Sequence, residues 1–99
     1  MTTETTNLKI AATKRGHRVW LDGKRLDRFG WHHGATYSRT VAFDTITLTL
    51  DPDGNLAVSG ASNRPVIDLS GKWVTAWAGD ALRCDVVFNG NTITITRGA

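Results

Sequence analysis

The chain has 99 residues, of which 40% are apolar and 21% are charged. These values are typical of one globular domain and exclude a disordered chain. No apolar run approaches the roughly 18 residues of a membrane span, and residues 1–6 lack the basic start and apolar stretch of a signal peptide. We therefore expect a single cytoplasmic domain over residues 1–99. The lone Cys84 excludes an internal disulfide and a zinc site built from paired cysteines.

Basic residues are concentrated in the first half of the chain. Residues 1–50 contain eight Lys and Arg against four acids, a charge of +4, whereas residues 51–99 contain four against five, a charge of −1. The first half can therefore attract a polyanion. The alternative interpretation is an ordinary basic surface that faces water.

The first half shows β patterning around one short helix. Residues 8–11 and 19–21 predict short strands. Residues 23–30 carry apolar positions three apart between glycines, which predicts about two helical turns that persist only when packed on a sheet. Residues 45–50 alternate polar and apolar positions, which predicts a strand with one solvated face.

A turn leads from this strand into the second half. Residues 51–54 predict a β-turn because Pro52 sets φ and Gly54 accepts a positive φ. Residues 56–58 then predict a short returning strand.

The second half contains one more short helix and a β-hairpin. Residues 71–78 hold two tryptophans four positions apart, which predicts a helix. Residues 82–88 and 92–96 predict two strands. The Asn89–Gly90 pair between them favours a type I′ turn. The fold class that follows is mostly β, with two short helices.

Two stretches of the chain have similar sequences. Residues 19–30 align with residues 67–78 at an offset of 48, and Thr45 to Thr49 align with Thr92 to Thr96 at an offset of 47. A unit of roughly 35 residues is too small to bury its own apolar face, so two copies packed about a pseudo-two-fold axis are expected. We predict a duplicated strand–helix–hairpin unit, with repeats at 17–50 and 65–97. Chance similarity between two β-rich stretches is the alternative.

The repeat unit resembles a known family. Leu69-Ser70-Gly71-Lys72-Trp73-Val74, followed by Trp77-Ala78-Gly79, resembles the L-x-G-x-W-L-x-x-A-G-F stretch of the SymE toxin-like family. Residues 21–34 carry the same pattern, which is similar to the wider AbrB/MazE-like swapped-hairpin family. The resemblance covers residues 17–50 and 65–97 and departs at 78–81, where the second glycine is missing.

This resemblance implies a small barrel-like sheet of interlocked hairpins. Two chains normally build it in AbrB-like proteins, so the protein is expected to be a monomer with an internal pseudo-two-fold axis or a homodimer. The resemblance also implies binding of DNA or RNA, and for SymE-like proteins it implies RNA cleavage by a toxin.

The candidate nucleic-acid-binding residues are basic side chains of the first half. Lysine and arginine neutralise phosphates and release counterions, which gives affinity without sequence information. On a helix over residues 23–30, Lys24 and Arg28 share one face. The predicted set is Lys14, Arg15, Arg18, Lys24, Arg25, Arg28 and Arg39. The alternative is a solvated helix face whose cations pair with Asp22 and Asp27.

The histidines and the cysteine give weaker indications of function. His32 and His33 are adjacent, and adjacent strand residues point to opposite faces, so we interpret Trp31-His32-His33 as a polar turn and expect no metal or cofactor. If RNA is cleaved, one of these two histidines is the base, with Arg39 or Lys24 steadying the phosphorane. Cys84 is predicted to be a buried strand residue that shares its face with Leu82 and Val86.

The tryptophans suggest a second class of function. Trp77 aligns with Phe29 and is predicted to lie in the core. Trp73 aligns with Arg25, so it is the candidate protein-binding residue, because an exposed tryptophan can anchor a partner. We expect a non-enzymatic, AbrB/SymE-like nucleic-acid-binding regulator. The alternatives are a protein-binding inhibitor or adaptor from a mobile element or phage, and an endoribonuclease toxin of the SymE type.

Overall fold

A computed structural model describes residues 3–14, 16–22 and 24–98. It confirms the predicted mostly β fold with two short helices. The strands are β1 (Thr3–Lys9), β2 (Ala11–Thr13), β3 (Gly16–Asp22), β4 (Thr36–Val41), β5 (Thr45–Leu50), β6 (Leu56–Ala57), β7 (Ser59–Ala61), β8 (Arg64–Gly71), β9 (Arg83–Asn89) and β10 (Thr92–Arg97). The helices are α1 (Lys24–Arg28) and α2 (Lys72–Ala78). Within these described ranges, no helix has the length and apolar character needed to cross a membrane.

The strands form two antiparallel sheets. The large sheet has the order β1-β9-β10-β5-β4-β6, and the small sheet has the order β2-β3-β8-β7. Both helices pack against the two central strands of the small sheet, β3 and β8. Each helix directly follows one of those strands, so the small sheet determines where both helices lie.

The core follows from the period-two alternation of the central strands. Ile46 and Leu48 of β5 and Ile93 and Ile95 of β10 are fully buried, while the threonines between them lie on the other face of the large sheet. The small sheet and the helices supply the opposing apolar side chains. These are Val19, Leu21, Ile67, Leu69, Leu26, Val74 and Trp77. The prediction that Trp77 is a core residue is therefore confirmed.

The two halves of the chain occupy equivalent places in the sheets. If β1 to β5 are matched in order with β6 to β10, each strand pairing in one half has its counterpart in the other. β5 pairs with β10 and β3 pairs with β8, while β1 lies on β9 as β6 lies on β4. Thr47 faces Thr94 at the centre of one ladder, and Trp20 faces Asp68 at the centre of the other. The members of these two pairs are 47 and 48 residues apart, which are the offsets found in the sequence. Superposition of residues 17–50 on residues 65–97 stays a prediction.

Two predictions about the strand ends are corrected by the structure. Residues 8–11 do not form one strand, because β1 ends at Lys9, the buried Ile10 follows, and β2 begins at Ala11. Leu82 does not share the buried face of Cys84. β9 begins only at Arg83, so the alternation does not extend to Leu82, which is 76% exposed.

The turn between β9 and β10 also differs from the predicted type I′ turn. Thr92 pairs with Asn89, so the two turn residues are Gly90 and Asn91. Gly90 has φ of 60°, and Asn91 is not among the residues with positive φ. A positive φ at only the first turn residue is the pattern of a type II′ turn, which requires glycine there.

Candidate nucleic-acid interface

The predicted basic residues lie near the two ends of the small sheet and on the outer face between them. The start of β3 pairs with the end of β8, where α2 begins, as the His17–Gly71 pair shows. α1 begins at the other end of β3. Seven residues of strand span roughly 20 Å, so Lys14 lies well apart from Lys24 on α1. Arg15 is a predicted site residue that lies outside the described residues.

At the α1 end, one carboxylate serves two arginines. Arg25 Nε lies 2.6 Å from Glu4 Oε2, without the geometry of a hydrogen bond. Arg28 Nη2 donates to both Glu4 carboxylate oxygens at 3.2 Å. The Arg25 guanidinium also lies 5.8 Å from the centroid of the Phe88 ring. With Lys24 exposed beside them, Glu4 balances two cations with a single negative charge.

At the α2 end, a predicted nucleic-acid-binding residue contacts the predicted protein-binding residue. The Arg39 guanidinium, on β4, lies 4.1 Å from the centroid of the Trp73 ring on α2. Trp73 is half-buried and packs against the core. One side of its ring is therefore occupied within the chain, and its predicted role in protein binding stays a prediction.

Between the two ends lies the outer face of the small sheet. Val19 and Leu21 point into the core, so the alternation places Arg18, Trp20 and Asp22 on the outer face. Arg18 donates to both carboxylate oxygens of Asp68, from Nε and Nη2, at 3.0 Å each. The structure thus places the predicted residue Arg18 in an ion pair across the β3–β8 ladder.

A second ion pair lies farther along the same face. Arg64 Nη2 donates to Asp22 Oδ2 at 2.9 Å. This hydrogen bond is the main cause that lowers the pKa of Asp22 below its ordinary value, and the Trp20 indole acts in the same direction. Burial opposes both effects.

Sequence reasoning missed Trp20 as a surface residue. Its indole is 43% exposed, and the Arg18 guanidinium lies 4.8 Å from its centroid. The signal was present, because Val19 and Leu21 flank Trp20 and are apolar strand residues that must point inward. Its partner Asp68 aligns with Trp20 at the repeat offset of 48, but the offset alone does not say that the two aligned strands pair.

The histidines do not come together. His17 Nδ1 is 2.9 Å from Thr75 Oγ1, whereas His32 Nδ1 is 2.6 Å from Asp27 Oδ1. His33 is exposed in the predicted turn. Across residues 3–14, 16–22 and 24–98, no group of three or more His, Cys, Asp or Glu side chains could hold a metal ion.

Cys84 and Trp31 belong to the core. Burial raises the pKa of the Cys84 thiol to about 11, so the thiolate that a nucleophile requires is not formed near neutral pH. Its predicted place as a buried strand residue is confirmed. Trp31 is fully buried, which corrects its assignment to a polar turn; only the two histidines after it are exposed.

Comparison with known proteins gives no assignment. The chain matches no family model, no curated protein and no solved structure. The residues of the chain itself therefore supply all the support for a function.

Proposed function

We propose that the protein is a small nucleic-acid-binding regulatory protein of the AbrB/SymE-like type, with DNA or RNA as its partner. The observation that carries this proposal is the excess of cations around α1. Arg25 and Arg28 share the single carboxylate of Glu4, and Lys24 is exposed beside them. Exposed ion pairs of this kind contribute little, so a phosphate can displace Glu4 from either guanidinium.

The test is the salt dependence of nucleic-acid binding in an Arg25→Ala, Arg28→Ala double variant. We expect weaker binding and a slope of log affinity against log salt that is shallower by up to about two, because two phosphate contacts are lost. Binding is measured by anisotropy of labelled DNA and RNA between low and physiological salt. Glu4→Gln should act in the opposite direction and strengthen binding, because it releases both guanidinium groups.

The matched control is Arg83→Ala, which removes one exposed arginine elsewhere. Arg83 lies on β9 and contacts Asn7, whose side chain is on the opposite face of β1 from Glu4. This variant should leave the salt slope unchanged. A double variant that binds with wild-type affinity and slope would show that α1 does not contact phosphate.

The proposal includes an internal duplication that supplies both halves of the fold from one chain. The register of the strands supports it. The Ala11–Arg18 pair of β2 and β3 becomes the Ser59–Val66 pair of β7 and β8 when 48 is added to both numbers. In an experimental structure, the backbone of residues 19–50 should superpose on that of residues 67–97; two different chain paths would refute duplication.

An RNA-cleaving activity is the second candidate. The exposed His32 is 2.6 Å from Asp27, and Asp27 belongs to α1, the helix with the surplus of cations. A histidine oriented by a carboxylate next to phosphate-binding residues is suited to act as a general base. Cleavage of RNA that His32→Ala abolishes would favour this function over simple binding.

A further inference from the structure

An exposed indole stands at the middle of the outer face of the small sheet. Trp20 is 43% exposed, although both of its chain neighbours are almost completely buried. Its cross-strand partner is Asp68, and the neighbouring Arg18 lies between the small residues Ala11 and Ser70. The side chains around the ring are therefore shorter than the indole, except for that of Arg18.

The indole is held by charged residues from both central strands. The Arg18 guanidinium lies 4.8 Å from its centroid, and Asp68 fixes that guanidinium with two hydrogen bonds. On the far side is Asp22, which Arg64 holds in turn. An aromatic ring whose orientation is already fixed loses little conformational entropy when it binds a ligand.

Cations lie on both sides of this indole. An open groove on one side is lined by Thr13, Lys14, Arg18, Asp68, Ser70 and Gly71. A small cavity on the other side is lined by Trp20 together with Arg25 of α1. Each guanidinium has five N–H donors, and Asp68 uses two of those of Arg18, so donors remain for a phosphate.

We propose that this face binds single-stranded nucleic acid, with one base stacked on the side of the Trp20 ring that Arg18 does not cover, and the adjacent phosphates on Arg18 and Lys14. This inference rests on the proposed nucleic-acid-binding function and names its substrate class. Within a duplex the bases are already stacked on one another, whereas the bases of a single strand can turn a free ring face toward a side chain on the surface of the sheet. Lys14 and the remaining donors of Arg18 line the groove beside the ring, where they complement the phosphates next to the stacked base.

The test compares a labelled twelve-nucleotide oligo(dT) and oligo(U) with a duplex of the same length, for wild type and for Trp20→Ala. The wild-type protein should prefer the single strands. Trp20→Ala should weaken single-strand binding by roughly 10- to 100-fold while leaving the salt slope unchanged, because it removes stacking and no charge. Trp20→Phe should recover most of the affinity, because it retains an aromatic ring.

The matched control is Phe43→Ala, which removes an aromatic ring that is 84% exposed in the turn between β4 and β5. It should leave single-strand binding unchanged. Far-UV circular dichroism and thermal melts establish that each variant is folded. Because Trp20 is a surface residue, its replacement should leave the fold intact.

The outcomes separate the two proposals. If the duplex binds as tightly as the single strands, or if Trp20→Ala binds like wild type, the stacking site is wrong while the proposed function stands. An equal loss in Phe43→Ala would also overturn the assignment of this face. If neither single strands nor duplex bind at low salt, the proposed function itself fails.

Discussion

Replacing Trp31 by alanine is expected to destabilise the protein by about 3–5 kcal/mol. Trp31 is the largest fully buried side chain, and its ring packs on Tyr37 with 5.5 Å between the centroids. Its removal loses the transfer free energy of the indole and leaves a cavity in the core. The free energy of unfolding is measured by urea denaturation followed by circular dichroism, since the change itself alters tryptophan fluorescence.

Trp31→Phe is the matched variant for this prediction. The Trp31 indole N–H is buried without a hydrogen-bond partner, which costs free energy that a phenyl ring does not. The phenylalanine variant should therefore lose much less stability than the alanine variant. A loss below about 1 kcal/mol for Trp31→Ala would contradict the burial of this ring.

Gly54→Ala is expected to cost about 3 kcal/mol or more, the upper range for inserting an atom into a packed region. A Cβ at this position would lie 2.3 Å from the carbonyl oxygen of Tyr37 and 2.5 Å from its carbonyl carbon. Tyr37 cannot retreat easily, because it pairs with Leu50 on one side and with Leu56 on the other. Thermal or urea unfolding measures the loss.

Asn55→Ala provides the control for this turn. Asn55 is exposed and adjacent to Gly54, so its replacement should change stability by no more than about 0.5 kcal/mol. Equal stabilities of the two variants would show that the backbone of Tyr37 does not approach Gly54 closely.

Gly54 also shows how a correct prediction can have a different cause. The sequence predicts a turn at residues 51–54, and Gly54 N donates to the Asp51 carbonyl oxygen at 2.9 Å as such a turn requires. The predicted reason, a positive φ at Gly54, is wrong, because Gly54 is not among the glycines with positive φ. Glycine is required there because the backbone of β4 passes against it at Tyr37.

The candidate site also contains residues that the sequence identifies and a residue that only the structure brings to it. The sequence identifies the cations of α1, since three of the five residues of this helix are Lys or Arg. It does not identify Glu4, which reaches the helix from β1. Residues 3–9 show no apolar alternation, and they form a strand because they pair with β9, about 80 residues later in the chain. Long-range pairing overrides local propensity in such a segment.

By itself, the sequence determined the mostly β fold, the central strands with one buried face, the short helices and the thiol in the core. Each of these depends on periodicity or on one residue's own chemistry, which act over a few neighbouring positions. The tertiary structure alone decided that Trp31 is buried and which charges are paired. Trp31 is enclosed because of how the two sheets pack, whereas the exposure of Trp20 follows from the alternation of β3. The Arg18–Asp68 and Arg64–Asp22 pairs join residues 50 and 42 positions apart, a separation across which local sequence carries no information.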